Sequence, residues 1–250
     1  MSGHSKWSSI KHKKGAVDAK RGQLFTKLAR AIQIAARDGG GDPAGNAALA
    51  NAVQKAKDAR MPKDNIERAI AKGTGADSDA DAFEAVVYEG YGPGGVAILV
   101  ETLTDNRNRT GSEVRNLFTR GGGNLGEPGS VAWNFEKRGV ILVDATRHSE
   151  DDLIVAIDAG ADDVSVDDDV IEVVTEQAAL AAVRAAIEDA GVAVESADLT
   201  MRPLNRVAVE GADVGALLRL VEGLEEHDDV AAVHANFDVD PAALERAAVA

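Results

Sequence analysis

The chain has 250 residues, 45% hydrophobic but only 4% aromatic, and a formal net charge of -15. It has no cysteine, which excludes disulfides, thiolate metal sites and cysteine nucleophiles, and no apolar run reaches the roughly 18 residues of a membrane span. The charge is divided: residues 1–72 hold 15 Lys+Arg against 6 Asp+Glu, a net of +9, and residues 73–250 hold 12 against 36, a net of -24. That asymmetry predicts a basic binding module on an acidic carrier.

The chain opens "MSGHSKWSSIKHKKGAVDAKRG". This stretch lacks the apolar segment of a signal peptide. It shares a basic, acid-poor character with mitochondrial transit peptides, but it runs straight into a patterned helix. Residues 1–30 carry Lys6, Lys11, Lys13, Lys14, Lys20, Arg21, Lys27 and Arg30 against a single acid, Asp18. Such cations exchange condensed counterions for phosphates, an attraction that weakens with salt. His12 lies within the cluster. Trp7 lies beside it and either packs on the helices or stacks on an unpaired base.

Residues 17–38 read as an amphipathic helix with Leu24, Phe25, Leu28, Ile32 and Ala35 inward and Lys20, Lys27, Arg30 and Arg37 on its flank. "DGGGDPAGN" ends it, and Asn46 can cap a second helix over 47–60 with Leu49, Val53 and Ala56 inward. After "MPKDN" a third helix carries Ile66, Ala69 and Ile70 and closes at Gly73. "KGTGADSDAD" is a polar linker.

The pattern then changes. "FEAVVYEG" and "GVAILVETL" read as strands joined by "GYGPGG". That turn matches G-x-G-x-x-G, but a strand follows where a dinucleotide site needs a helix, so a hairpin turn is the better reading. "NRTGSEVRNLFTRGG" reads as a helix, with Thr110 and Glu113 spaced as a capping box. Arg107, Arg109 and Arg115 cluster near its start, facing either phosphates or the acidic body. "GGGNLGEPGS" is expected to be a long flexible loop, and "SVAWNFEKRGVILVDA" two strands about a turn at Lys137-Arg138-Gly139.

From 139 the order is strand, helix (149–159), strand, strand, helix (176–190), strand to residue 200, which is the β-α-β-β-α-β ferredoxin-like arrangement. "NRVAVEG", "ADVGALLRLVEGLEEH" and "DVAAVHANFDV" add strand, helix and strand, and are expected to return to the sheet begun at 83–136. The expected fold class is therefore multi-domain α and α+β: an N-terminal helical bundle plus two α+β domains of ferredoxin-like type, one inserted in the other. The expected boundaries are 1–75 for the basic helical domain, 82–136 plus 203–240 for a discontinuous α+β domain, and 137–202 for the insert.

The sequence nominates no catalytic constellation. The histidines (His4, His12, His148, His227, His234) show no His-x-x-x-His spacing, the acid clusters lack calcium-loop spacing, and there is neither a Walker A loop nor a Gly-x-Ser-x-Gly elbow. No cofactor, metal, membrane or small-molecule substrate is expected.

"MSGHSKWSSIKHKKGAVDAKRGQLFTKLARAI", "ARDGGGDPAGN", "VQKAKDARMPKDNIERAI", "YEGYGPGGVAILVETLTDNRNRT" and "GGNLGEPGSVAWNF" resemble segments of the YebC/PmpR family, in the family's order and over nearly the whole chain. The closing "DVDPAALERAAVA" matches least. The resemblance implies three domains, no catalytic activity, and a DNA-binding transcriptional regulator of the cytoplasm. Mitochondrial relatives resemble translational activators of cytochrome c oxidase, and bacterial members have been linked to ribosomes stalled on proline-rich sequences. Residues and resemblance together lead to a non-enzymatic, nucleic-acid-binding regulator of gene expression. Its target is DNA or, alternatively, rRNA or tRNA on the ribosome. The expected contacts are Lys6, Trp7, Lys11, His12, Lys13, Lys14, Lys20, Arg21, Lys27, Arg30, Arg107 and Arg109.

Overall fold

The computed structural model describes residues 18–75, 83–167, 169–240 and 243–244. Among the described residues three helices come first: α1 (Asp18–Gly39), α2 (Ala47–Asp58) and α3 (Lys63–Gly73). Asn46 caps α2, its Oδ1 accepting from the Leu49 N–H at 3.0 Å, while its amide donates to Ala35 and Gly40 carbonyls. One side chain thus starts α2 and closes the end of α1. Their core is Ile32, Ala36, Leu49, Val53, Ala56, Met61, Ile66 and Ala69. Leu24, expected inward, is exposed, while Ile32 of the expected stripe and Ala36 beyond it are buried. The apolar face of α1 therefore starts at Phe25, one residue later than its periodicity suggests.

The body is α+β. β1 (Glu84–Tyr91) and β2 (Ala97–Thr104) form an antiparallel hairpin, followed by α4 (Arg107–Arg120) and the short β3 (Asn124–Leu125). In the hairpin loop Gly94 and Gly95 both hold positive φ, 73° and 75°, which is what "GYGPGG" supplies. β4 (Phe135–Asp144) leads to a 3-10 turn (Glu150–Leu153) and α5 (Ile154–Asp158). Then come β5 (Ala161–Asp167), β6 (Val170–Thr175), α6 (Leu180–Asp189) and β7 (Val194–Pro203). β8 (Val207–Ala208), α7 (Ala212–Glu226), β9 (Val230–Ala235) and β10 (Phe237–Asp238) follow.

One sheet has the order β3-β1-β2-β9 and another β5-β6-β4-β7, with β8 and β10 forming a small parallel pair. In the second sheet the four strands, taken by sequence, lie in the order 2-3-1-4, as in ferredoxin-like units. In the first, β9 returns from far along the chain to pair with β2, Ile98 opposite Ala235. Each sheet has its own apolar core. That of the first joins Val96, Ile98, Val114 and Phe118 to Leu217, Leu224 and Phe237. That of the second is drawn from residues between Ile141 and Leu199.

Three local expectations are corrected. No turn occurs at 137–139: β4 runs unbroken from Phe135, across the expected 136/137 boundary, with Gly139 paired to both Thr175 and Leu199. A Cβ at Gly139 would lie 2.3 Å from the Thr175 Oγ1 and 3.0 Å from the Leu180 Cβ, so this glycine admits α6 against the sheet rather than turning the chain. Thr110 is not a cap. Asn106 caps α4, accepting from the Arg109 N–H at 3.1 Å, and Thr110 is fully buried one turn inside. Residues 121–130 are held rather than loose. β3 pairs with β1, and the buried Glu89 carboxylate accepts the N–H groups of Gly129, Val131 and Ala132 at 2.7, 2.7 and 2.8 Å. Burial disfavours the charged form of Glu89, but these three bonds outweigh it and its pKa lies below the ordinary glutamate value.

Candidate nucleic-acid interface

Of the residues nominated by the sequence, Lys6, Trp7, Lys11, His12, Lys13 and Lys14 lie outside the described residues, as does the side chain of Lys20. Arg21 is exposed on the first turns of α1. The remaining cations divide into two groups.

Lys27 and Arg30, one turn apart on α1, point into the body. The Lys27 Nζ donates to the Glu225 carbonyl at 2.6 Å. The Arg30 guanidinium donates to the Asp228 carbonyl at 3.0 Å and to the Asp229 Oδ1 at 2.9 Å, and lies 5.1 Å from the Phe83 ring centroid. Arg109 meets the same acid: its Nη2 donates to the Asp229 Oδ2 at 2.7 Å and to the Asp105 Oδ1 at 2.8 Å. Thr110 donates to the Asp229 Oδ2 at 2.7 Å and lies 2.8 Å from the Thr104 hydroxyl. Arg30 and Arg109 are thus salt-bridged to the acidic body, and Lys27 is hydrogen-bonded to its backbone.

Asp229 was invisible to sequence reasoning because it sits in "EEHDDV", one acid among several. Its side chain is 4% exposed. Burial alone would raise its pKa, but the bonds from Arg109 and Thr110 and the charges of Arg109 and Arg30 prevail, and the pKa is lowered. Asp229 thereby joins α1, α4 and the turn before β9. Beside it, the Asp229 N–H donates to the His227 Nδ1 at 3.1 Å, which leaves the His227 Nε2–H to donate to Glu113 at 2.8 Å. Glu113, His227 and Asp229 are close enough together to suggest a metal site. However, the Asp229 oxygens are already engaged by two guanidinium groups and a hydroxyl, and a cation there would face Arg30 and Arg109.

The helices are tied to the second sheet as well. Lys55 pairs with Asp198 at 2.8 Å, and Arg184 grips both oxygens of Asp58 at 2.8 and 3.0 Å. Arg184 also bonds Glu188, and its pKa is raised by these acids.

Arg107 and Arg115 differ. Both are exposed on α4, and among the described residues neither makes an ion pair. The sequence cluster of three arginines is thus split by the fold into one structural residue, Arg109, and two that face outward. No helix among the described residues is long and apolar enough to cross a membrane.

Residues 5–76 match the family model described as the TACO1/YebC protein N-terminal domain, and residues 83–237 that of the TACO1/YebC second and third domain. A Rubrobacter xylanophilus protein named "Probable transcriptional regulatory protein" is 58% identical, over 96% of each chain. A Trichlorobacter lovleyi protein of the same name is 53% identical over 98% of this chain and 99% of its own. The crystal structure of a conserved hypothetical protein from Aquifex aeolicus superposes with a TM-score of 0.81 at 46% identity, covering 90% of this chain and 93% of that one.

Proposed function

Because this chain belongs to the TACO1/YebC family, we propose that it is a non-enzymatic regulator of gene expression that binds nucleic acid through its basic N-terminal module, acting on DNA as a transcriptional regulator in the cytoplasm. The observation that carries this reading is the charge division, +9 in residues 1–72 against -24 in the remainder. Phosphate attraction is the physical use of such a module, and the names of the relatives point the same way. Because Lys27 and Arg30 are spent on the body, the cations left for phosphates concentrate ahead of them, at Lys6, Lys11, Lys13, Lys14, Lys20 and Arg21. The acidic body opposes a duplex wrapped around it, so docking is one-sided.

We read the three cores as three domains: 1–75 as the contact module, 82–136 with 203–240 as the carrier, and an insert of 137–202 whose first strand already begins at Phe135. A second reading, an RNA- or ribosome-binding translation factor, is favoured by the inward set of the α1 cations, which keeps that face of the helix out of a DNA groove.

The test is crosslinking in cells followed by sequencing of bound DNA and RNA, with wild type beside a Lys11→Glu/Lys13→Glu/Lys14→Glu variant. Promoter DNA enriched by the wild type and lost in the variant supports the first reading, and rRNA or tRNA supports the second. Enrichment that survives the triple change refutes the N-terminal module as the contact.

A further inference from the structure

A hollow of about 300 Å³ opens on the carrier sheet, lined by Tyr88 of β1, Leu125 of β3 and the α4 residues Arg107, Gly111, Ser112 and Arg115. Arg107, Gly111 and Arg115 share one helix face at i, i+4, i+8. The two arginines are therefore about 12 Å apart along the axis, enough to reach more than one phosphate. Gly111 keeps the hollow open, since a Cβ there would lie 3.3 Å from the Tyr88 hydroxyl. That hydroxyl donates to the Arg107 carbonyl at 3.2 Å, fixing the ring in the wall.

The hollow brings two cations together in an acidic part of the chain. Residues 73–250 have 36 acids to 12 bases, and Arg109, Arg138, Arg184 and Arg202 are all paired with carboxylates. Arg107 and Arg115, like Arg120, Lys137, Arg147, Arg206 and Arg219, are without an ion pair among the described residues, and of these Arg107 and Arg115 line the hollow. Arg107 also occupies the first position of α4, where the helix dipole disfavours a cation. Successive phosphates along the hollow would satisfy the two arginines, and the one at Arg107 would also meet the helix end.

We propose that this hollow is a second nucleic-acid contact, taking phosphates of an unpaired strand on Arg107 and Arg115 with a nucleotide seated against Tyr88 and Leu125. It rests on the nucleic-acid-binding reading above and names the strand form at a separate site. The unpaired form follows from shape. A duplex presents its phosphates on a convex ridge with its bases stacked inside, and needs no hollow with an aromatic wall. An unstacked base needs one, with an aromatic wall beside cationic donors. The planar guanidinium forks suit phosphate oxygens.

The test uses the full chain and fluorescence anisotropy over a range of salt. The probes are an unstructured RNA of about 12 nucleotides, a DNA of the same sequence, and the DNA duplex. Arg107→Glu/Arg115→Glu is expected to weaken single-strand binding at least tenfold near 100 mM salt. It should also flatten the log-log salt slope by about 1.4, two phosphates at about 0.7 each, while duplex binding stays within about twofold. Gly111→Leu fills the hollow without changing charge and should weaken single-strand binding with little change of slope. Should it not fold, the exposed double-arginine variant decides. Equal loss on RNA and DNA supports contacts to phosphate and base alone, and loss confined to RNA supports an added 2′-hydroxyl contact. Unaltered single-strand affinity and slope in the arginine variant overturn the site while leaving the N-terminal module intact. Equal loss on the duplex overturns the unpaired form. A wild type that binds none of the probes overturns the general reading and this one with it.

Discussion

Asp229→Asn removes the charge on which α1 and α4 converge. The Asp229 Oδ2 accepts from Arg109 and Thr110, both at 2.7 Å, and Oδ1 from Arg30 at 2.9 Å. An amide keeps one acceptor and turns an NH2 group toward donors. A hydrogen bond to a charged group contributes about 1.5–3 kcal/mol, and breaking one side of a buried pair costs about 3–5 kcal/mol. The Arg30 and Arg109 side chains are 22% and 43% exposed and can turn to water, which places the expected loss near the lower end, about 2–3 kcal/mol. Urea unfolding followed by far-UV circular dichroism measures it as a fall in midpoint at constant slope. A cycle with Arg30→Met isolates the link between α1 and the body, with an expected coupling of about 1 kcal/mol. A single-variant loss under about 0.5 kcal/mol, or a cycle that is additive within about 0.4 kcal/mol, refutes Asp229 as the tie.

Glu89→Gln should free residues 126–132, because the amide faces at least one of the three N–H groups that the carboxylate accepts. The expected cost is about 2 kcal/mol, read as at least tenfold faster hydrogen exchange at Gly129, Val131 and Ala132, and unchanged protection sinks the idea. Asp229 and Glu89 both have lowered pKa values, so they bind protons less readily folded than unfolded. Their stabilisation is complete above the ordinary carboxylate range near pH 4 and lost as pH falls through the lower folded values. The acid limb of the thermal midpoint should therefore be shallower in Asp229→Asn than in wild type, and parallel limbs contradict this. Gly139→Ala should cost about 1–3 kcal/mol by overpacking against Thr175 and Leu180, measured by thermal unfolding. A neutral result would mean that α6 yields without cost.

The helices of the N-terminal module and the insert were legible because their signals are local: apolar spacing, Asn46 and Ser149 at helix starts, and strands separated by turn residues. What escaped was set by partners distant in sequence. Gly139 looks like a turn until α6 is placed above it. Thr110 looks like a cap until Asp229, 119 residues away, accepts its hydroxyl. Glu89 has no signature, because its partners are backbone groups some 40 residues on. At the candidate interface, composition identified the basic cluster, but only the fold could separate Arg109, bound to Asp229, from Arg107 and Arg115 facing out.

The meeting of Phe135 with Pro203, first and last in their strand pairing, also bears on the order of assembly. Just outside it, Asn134 and Asn205 are joined by three hydrogen bonds of 3.1 Å, and the Asn236 amide donates to the Asn205 carbonyl at 3.0 Å. The chain enters and leaves the inserted sheet at one point. Pairing β2 with β9 otherwise means closing the whole stretch between Ile98 and Ala235. Once β4 and β7 have zipped, that stretch is shortcut to about half its length, which lowers the closure entropy by about 0.6 kcal/mol. The gain at equilibrium is small, but it gives folding a direction: the late-returning strand finds its edge more readily after the insert has formed than before.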